Sequence, residues 1–583
     1  MKGFSNTYLH IDLNTKRIQV RNIEDGVCKL WLSGKGLATY LLLHTLKPGT
    51  NPLSEKNILL LTPGIAAGAI PGTSRYGVYA KSPLTNGYGE SYSGGSLAPA
   101  FTDTGYDAVL ITGKSPDMVY MEITDEGATF HDASGFMGFD TYRTEIGILK
   151  EINEKKARAL TIGPAGENRV RFACITNDLW RNAGRCGMGA VMGSKNLKAL
   201  VFHGDKKPEF SDAQGLKKFS KRLREGGGES KGVESFRKHG TLNMAKVLDH
   251  LSGFPAKYWT EGRSEDIGKI SADYLVKEME ARPKACYNCF IACGKLATVK
   301  KGRHKGLKIE GPEYETTFAF GGLCAIDSLE EIAYLNDLCD RLGLDTITAG
   351  SLIGLIMEAS SRGRVENGLE YGDAGGAAEL LKDMTYRRGL GGVLADGVKV
   401  AGEKLGLKDL IAHVKGLDFP GYDPRILKGM GLAYGTSARG ACHLRGTYYR
   451  AELGGKSPKD PAGKAKQYID YEDILTIYDS LIMCKFYGVL LSRENLCKLV
   501  RMLTGIDYRW EGLKEIANRI VSATREFNVR EGFGMKDDAL PGRFHSEPLK
   551  GKILAKEEYR AMLQAYYRHR NWSLEGVPKD NIY

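Results

Sequence analysis

Cys286-Tyr287-Asn288-Cys289-Phe290-Ile291-Ala292-Cys293 carries three cysteines in the spacing C-x2-C-x3-C. The chain has only 11 cysteines in 583 residues, so this clustering is a rare coincidence at random. Eleven thiols, odd in number and thinly spread, do not make a disulfide scaffold; they read as reduced, metal-bound or buried. Thiolates this close on one turn converge on a point. With a fourth from elsewhere they suit a cubane iron–sulfur cluster. A structural zinc site is the alternative, but zinc motifs more often add a second C-x2-C or a histidine pair, and none follows here. The fourth thiolate would come from Cys28, Cys174, Cys186, Cys324, Cys339, Cys442, Cys484 or Cys497. None of these forms a second cluster motif, so one cluster is expected. One cluster passes one electron at a time; a two-electron reaction would need a further redox centre and an outside carrier.

Upstream of the cysteines the pattern is β-rich. Short strands are expected at 8–12 and 18–21, paired around Asn14-Thr15, and at 58–62, 76–80 and 108–112. Glycine-rich segments at 64–72 and 87–95 lie between them, consistent with backbone passing close to something. The stretch 208–240 is polar and charged, with Gly226-Gly227-Gly228, and reads as a domain boundary or mobile surface segment. Beyond it the period becomes helical. Ser328-Leu329-Glu330-Glu331 is a capping box opening a helix that should stop at Gly343. Further helices are expected at 471–483, 512–528 and 556–568. The fold class is α+β: a β-rich domain over 1–207, then mainly helical domains over 208–420 and 421–583.

Composition narrows function by exclusion. Hydrophobic residues are 42% and charged residues 26%, an ordinary globular balance. No stretch approaches the roughly 20 apolar residues of a membrane span, and Met1–Thr7 has no apolar signal core. A cytoplasmic protein without membrane attachment is the expectation. The formal net charge is +12 but is not gathered into long basic blocks, so nucleic acid is not an expected partner. Most of that charge reads as solvated surface; anionic ligands or an acidic protein partner account for the rest.

Two later segments echo each other. Asp340-Arg341-Leu342-Gly343-Leu344-Asp345 and Asp479-Ser480-Leu481-Ile482-Met483-Cys484 each carry aspartate, leucine two residues on, an apolar residue and then Asp or Cys. Both fall at expected helix ends, where a carboxylate is a good bidentate acceptor for a guanidine-like edge such as that of a pterin or guanine. Two unrelated helix ends with surface aspartates would look the same. The run 184–193 offers glycine N–H groups that can face phosphate. It could equally be a nucleotide loop, although it lacks the G-x-x-x-x-G-K-[ST] spacing.

Taken with Pro71-Gly72-Thr73-Ser74-Arg75, Lys81-Ser82-Pro83-Leu84-Thr85, Asn182-Ala183-Gly184-Arg185 and Arg439-Gly440-Ala441-Cys442-His443-Leu444-Arg445, these motifs resemble the aldehyde ferredoxin oxidoreductase family over essentially the whole chain. The resemblance implies a tungsten (or molybdenum) bis-molybdopterin cofactor, one [4Fe-4S] cluster and Mg2+ bridging the pterin phosphates. It implies a saddle of β-sheets under the cofactor, covered by the two helical domains. It implies Cys286, Cys289, Cys293 and Cys484 as cluster ligands. Asp340 and Asp479 would hold one pterin each, with Leu344, Asp345 and Met483 beside them, and Arg75 would lie between cluster and pterin. Gly94, Arg181, Ala183, Gly184 and Arg185 match the phosphate and magnesium region, and Arg439, Leu444 and Arg445 the cofactor's anionic surroundings. Where the family often has asparagine two residues before Gly94, this chain has Tyr92.

The resemblance also implies a glutamate and a histidine beside the metal. Glu313 is preferred as the proton acceptor, with Glu315 as its substitute, and His443 as the group that polarises the carbonyl. Cys324 is either a core thiol or a tungsten ligand of the kind found in family branches that reduce aromatic acyl thioesters. The expected activity is oxidation of aldehydes to carboxylic acids with ferredoxin or a ferredoxin-like electron-transfer subunit as acceptor. A reductive enzyme acting on an acyl-CoA or acid, with Cys324 on the metal, is the alternative; a non-catalytic electron-transfer or scaffold subunit is the alternative of another class. Some family members bridge a homodimer with iron held by an E-x-x-H pair before the first pterin aspartate. The helix expected at 328–342 contains no histidine, so a homodimer would form by packing without bridging iron.

Overall fold

The structure, a computed structural model, describes residues 1–366 and 368–580. Two six-stranded sheets occupy the first third of the chain. The first contains β1 (Thr7–Asp12), β2 (Arg17–Asn22), β3 (Leu59–Pro63), β4 (Tyr76–Lys81), β5 (Tyr88–Ser93) and β6 (Ala108–Thr112), in the order β2-β1-β6-β3-β4-β5. The second contains β7 (Val119–Thr124), β8 (Gly127–Asp132), β9 (Arg158–Thr161), β10 (Ile175–Asn177), β11 (Arg181–Ala183) and β12 (Leu197–Phe202), in the order β11-β10-β9-β12-β7-β8.

The five expected strands all belong to the first sheet. β1 and β2 pair antiparallel, with Ile11 opposite Ile18, and Leu9 and Ile11 turn inward while Tyr8 and His10 stay half-exposed. That alternation gives β1 one buried face. β3, β4 and β12 are buried along their whole length, as fits their runs of Leu, Val and Ala. The second sheet was not anticipated, because its strands are short or mixed in polarity, such as Thr-Asn in β10 and Arg-Asn in β11.

The two sheets meet at their edges. Asn177 at the end of β10 accepts hydrogen bonds from Tyr76 Oη (2.9 Å) and Ser93 Oγ (2.9 Å), and its amide donates to Gly94 O (3.0 Å). β5 and β11, the edge strands on that side, therefore lie together.

The remainder is mainly helical, giving the α+β class. Ser328 caps the helix Leu329–Leu342 by accepting from Glu331 N, and Gly343 ends it with φ +78°. The other expected helices are longer than their patterns suggested: Trp510–Arg530 and Lys556–His569, and Pro461–Ser480 in place of 471–483. Asp460, accepting from Gly463 N, and Pro461 at the first turn start the last of these earlier, and it stops before Met483. The polar stretch 208–240, read as a domain boundary or mobile surface segment, has regular structure. It folds into helices Ala213–Gly228 and Lys231–His239, capped by Asp212 and Ser230, with Leu216, Leu223 and Val233 as the buried face. Its charge density concealed that thin apolar stripe. Among the described residues no helix is long and apolar enough to cross a membrane.

Candidate functional site

A cavity of about 380 Å³ opens where the edges of the two sheets face the helical part. The cysteine loop forms one end of it. Strands β13 (Arg282–Lys284) and β14 (Gly294–Thr298) pair antiparallel, with Lys284 opposite Gly294, so Cys286, Cys289 and Cys293 sit on the connection of a hairpin. Asn288 (φ +52°) and Ala292 (φ +52°) turn the backbone left-handed twice within it, which coils the loop. Cys484 arrives from the other side, just beyond the helix Pro461–Ser480, its N–H donating to Gly72 O at 2.8 Å. All four thiols line the cavity. Burial pushes the Cys293 and Cys484 thiols up; Arg181 opposes this at Cys293 and Arg75 at Cys484.

Gly94 follows β5 into the same space. A Cβ at this position would come 3.0 Å from Cys286 Sγ and 3.4 Å from an Arg75 guanidinium nitrogen. The absence of a side chain is what lets the first sheet approach the thiols.

The two echoing segments flank the cavity in opposite electrostatic settings. Asp340 is buried and accepts hydrogen bonds from Asn182 Nδ2 (2.6 Å) and Asn336 Nδ2 (2.8 Å). Burial, reinforced by Asp337 and Glu310, drives its pKa well above the usual carboxylate range despite both amides. Its carboxyl does not line the cavity and meets the wall through Asn182. Five residues on, Asp345 does line it; it caps the following helix at Ile347 N and pairs with Arg185 at 3.2 Å. Asp479 also faces the cavity, held by Arg445 at 2.9 Å and by Lys485 at 3.0 Å. Burial, with Arg445 nearby, pushes the Lys485 ammonium down to about 7.

Five arginines line the walls: Arg75, Arg181, Arg185, Arg439 and Arg445. Glu90, buried behind Tyr92, is a second carboxylate partner for Arg445 at 3.1 Å and pairs with Lys35 at 3.0 Å. Burial opposes its ionisation, but Arg445, Lys35 and Arg439 together hold its carboxyl well below the usual range. Several guanidinium nitrogens stay buried without a hydrogen-bond partner: Arg185 Nη1, Arg439 Nε and Arg445 Nε. Buried, unsatisfied cationic donors around an open space fit a large anionic group. Ala183 lies buried in β11, one residue behind Gly184, which is on the wall.

Glu315 and His443 face the cavity together, His443 Nε2 3.5 Å from Glu315 Oε1. Burial pushes Glu315 up to about 8, against the pull of a hydrogen bond from Gly421 N (3.0 Å). Burial, with Arg439, Arg185 and Arg445 around it, drives His443 well below its ordinary value. The preferred Glu313 also lines the cavity but is turned toward the hydroxyl of Thr241, on the side of Cys293 and Arg181. The geometry therefore brings Glu315, the substitute, to His443.

Cys324 is not brought to the cavity. It is fully buried in the hydrophobic core, its thiol donating to Ala319 O (3.4 Å) and Gly350 O (3.3 Å), and burial pushes its pKa far up. The expectation of a metal thiolate there gives way to the core reading.

Sequence reasoning passed over Cys442 as more than a spare thiol. It is fully buried, with Arg439 Nη2 donating to its sulfur at 2.8 Å and Leu444 N at 3.3 Å. Burial opposes ionisation, yet Arg439 and Arg445 bring the thiol down to about 7. The flanking arginines in Arg439-Gly440-Ala441-Cys442-His443-Leu444-Arg445 were the available signal.

Comparison with known proteins gives the chain its family. Residues 8–204 match the family profile described as aldehyde ferredoxin oxidoreductase, N-terminal domain, and residues 216–583 match that of its domains 2 and 3. The chain is 36% identical to a tungsten-containing aldehyde ferredoxin oxidoreductase of Pyrococcus furiosus, covering 100% of this chain and 98% of the relative. It is 34% identical to the protein of that name from Thermococcus kodakarensis, with the same coverage. An aliphatic sulfonate oxidoreductase, WOR-like subunit, of Pyrococcus furiosus is 30% identical over 100% of this chain and 96% of the relative. Among solved structures, the active site complex BamBC of benzoyl coenzyme A reductase with 1,5 dienoyl-CoA superposes with a TM-score of 0.84 at 23% identity, covering 99% of this chain and 96% of that one.

Proposed function

The chain belongs to the aldehyde ferredoxin oxidoreductase family, and on that premise we propose that it oxidises aldehydes to carboxylic acids and delivers the electrons to a ferredoxin-like carrier. Family membership implies an oxidoreductase with a tungsten pterin cofactor. The cavity's own atoms fit such a group: unsatisfied guanidinium N–H on its walls, four thiols at one end, and Gly94 and Gly184 without side chains between them. Asp340, Leu344 and Asp345 would serve one pterin, Asp479 and Met483 the other, with Arg75 toward the cluster. Arg181, Ala183, Gly184, Arg185 and Gly94 would serve phosphates and Mg2+, with Arg439, Leu444 and Arg445 around them. Cys286, Cys289, Cys293 and Cys484 would hold a [4Fe-4S] cluster. Bound there, the metal pterin would supply a two-electron redox centre and the cluster a one-electron relay.

The observation that carries the reading is the Glu315–His443 pair. An aldehyde and a water give a carboxylic acid, two protons and two electrons. Two one-electron acceptors take the electrons in turn, and the protons need a base beside the substrate. A carboxyl with its pKa near about 8 is well matched to accept a proton at neutral pH. In its ionised fraction Glu315 takes a proton from the incoming oxygen nucleophile. Since Glu315 Oε1 makes no hydrogen bond that would hold it on Nε2, His443 keeps the single proton of its neutral ring on Nδ1 throughout. That nitrogen has no protein partner, and the carbonyl oxygen of the substrate is the acceptor it lacks. The Arg439, Arg185 and Arg445 charges that keep the ring neutral also favour negative charge building on that oxygen.

The placement of Cys324 in the core speaks against a reductive enzyme that carries it on the metal, and a buried acid–base pair facing a cation-lined cavity speaks against a scaffold subunit. The test is an anaerobic screen of aldehydes with a viologen acceptor on metal-loaded protein, repeated with Glu315→Gln and Glu313→Gln. Turnover of aldehydes by the wild type, and at least a hundredfold loss in Glu315→Gln with metal and pterin content retained, is the expected result. Reduction of acyl thioesters with no aldehyde oxidised would overturn the activity; a silent Glu313→Gln beside an active Glu315→Gln would reassign the base.

A further inference from the structure

The cysteine hairpin reaches the outer surface, and its surroundings there are unlike the rest of the molecule. Tyr287, inside the cysteine motif, is 53% exposed, and Val489, just after Cys484, is 45% exposed. Tyr287 lies between two of the cysteines in sequence, and Val489 lies 3.9 Å from the Cβ position of Gly232. The helices Ala213–Gly228 and Lys231–His239 pack directly against the same loop. Arg224 donates to Asn288, and Arg237 Nη2 donates to Phe290 O at 2.7 Å. Phe236 stacks on Phe486 with ring centroids 4.4 Å apart. Gly227 makes the close approach possible, since a Cβ there would fall 2.1 Å from the Phe290 ring.

Residues 213–239 hold eight lysines and arginines against three glutamates, Glu225, Glu229 and Glu234. Only Glu225 pairs within the segment, at 3.9 Å from Lys221. Lys217, Lys218, Arg222, Lys231 and Lys238 are exposed, and none of them makes an ion pair among the described residues. Eight basic against three acidic residues give this segment a net charge of +5, and it stands beside the thiols. Uncompensated like charges on neighbouring helices repel one another, and an oppositely charged surface relieves that repulsion.

We propose that the helix pair 213–239, together with Tyr287 and Val489, is the docking surface for a small acidic one-electron carrier protein. This rests on the electron-transfer reading of the four thiols. The lysines and arginines steer and orient the carrier, and the two exposed apolar side chains form the dry centre of the contact. Docked there, the carrier's redox group comes to rest beside the cysteine hairpin. One electron is accepted per encounter, so two carriers visit in turn for each aldehyde oxidised. A weak, fast, salt-sensitive complex suits such repeated visits.

The experiment compares full-length holoprotein with two variants. One carries Lys217→Glu, Lys218→Glu and Arg222→Glu; the other carries the corresponding changes to Gln, which remove charge without reversing it. Arg224 and Arg237 are left in place because they brace the loop. Binding of a purified acidic [4Fe-4S] ferredoxin is measured by calorimetry at low and high salt. Turnover is measured with ferredoxin and, separately, with methyl viologen. The expected result is at least a tenfold rise in Kd and in KM for ferredoxin in the Glu variant and a smaller rise in the Gln variant. The salt dependence should flatten in both, and the viologen rate should be unchanged. Wild-type Kd and salt slope in both variants would overturn the proposal, as would equally tight wild-type binding of a basic cytochrome. Calorimetry needs no turnover, so binding that weakens on charge reversal supports the surface even if no aldehyde is oxidised. Aldehyde turnover with viologen, combined with unaltered ferredoxin binding, refutes the surface alone.

Discussion

Asp340 and Asp479 occupy matching positions in two echoing segments, yet the fold treats them as different chemical species. Around Asp340 it places two carboxamides and further acids, and burial raises the carboxyl's pKa well above its usual range. Around Asp479 it places an arginine and a lysine, and the carboxylate is paired on both sides. The partners of the first aspartate are thus amides and those of the second are cations. A shared motif therefore specifies where a carboxyl sits; the partners that arrive from distant sequence specify its charge.

The ionic half should be the fragile one. In cofactor-free protein Asp479→Asn removes a partner from a buried pair. It should cost about 3 kcal/mol in denaturant unfolding, toward the low end for such losses because Glu90 still holds Arg445 and Lys485 can shed its proton. A loss under about 1 kcal/mol would dissolve the contrast.

Cys442→Ser probes the same half from the thiolate side and should cost about 2 kcal/mol at high pH, the scale of a charged hydrogen bond. The folded thiol lies at about 7, below the ordinary 9.0. Its contribution is therefore complete above the unfolded value and fades as pH falls through 7. The penalty should shrink in acid; one that is constant with pH would mean that the sulfur contributes packing and not charge.

Asp340→Asn is the smallest change, about 1 kcal/mol or less, because an amide of nearly the same shape replaces a carboxyl whose ionised form burial disfavours. Its sign with pH is opposite to that of Cys442. A folded pKa raised above 3.8 gives stability that is full below that value and lost as pH rises through the folded one. Wild-type stability should therefore decline relative to Asp340→Asn on going from acid toward neutral, read from unfolding curves at several pH values. A wild type that gains instead would show Asp340 to be ionised and the two halves alike.

Residues that act through backbone pattern or clustering were legible in the sequence. The first sheet follows from alternation and from Leu-Leu-Leu runs, and the helix before Asp340 from its Ser328–Glu331 cap and Gly343 stop. The thiols and nearly all the residues implied by the family resemblance line the cavity. What was hidden is pairing between distant segments: Glu90 with Arg445, Asn182 with Asp340, Glu315 with His443. No local pattern announces such partners, and Glu313 was preferred to Glu315 for want of that information. Cys324 misled because a thiol's spacing from a glutamate says nothing of whether the intervening helix turns it inward to the core. The helices within 208–240 were masked because lysines and arginines crowd around their buried leucines.

The cavity wall begins at Gly72 and is not complete until Phe486. Its two ends are joined directly, Cys484 N–H to the carbonyl of Gly72. During synthesis, then, no partial chain that stops short of Cys484 can complete that wall, however well its N-terminal sheets have formed. Loading must wait for a nearly finished polypeptide, and the segment around Asp479 is the door that closes last. An organism making this protein has to keep the prosthetic group available after translation, and a chain truncated before residue 484 would be left as an empty saddle.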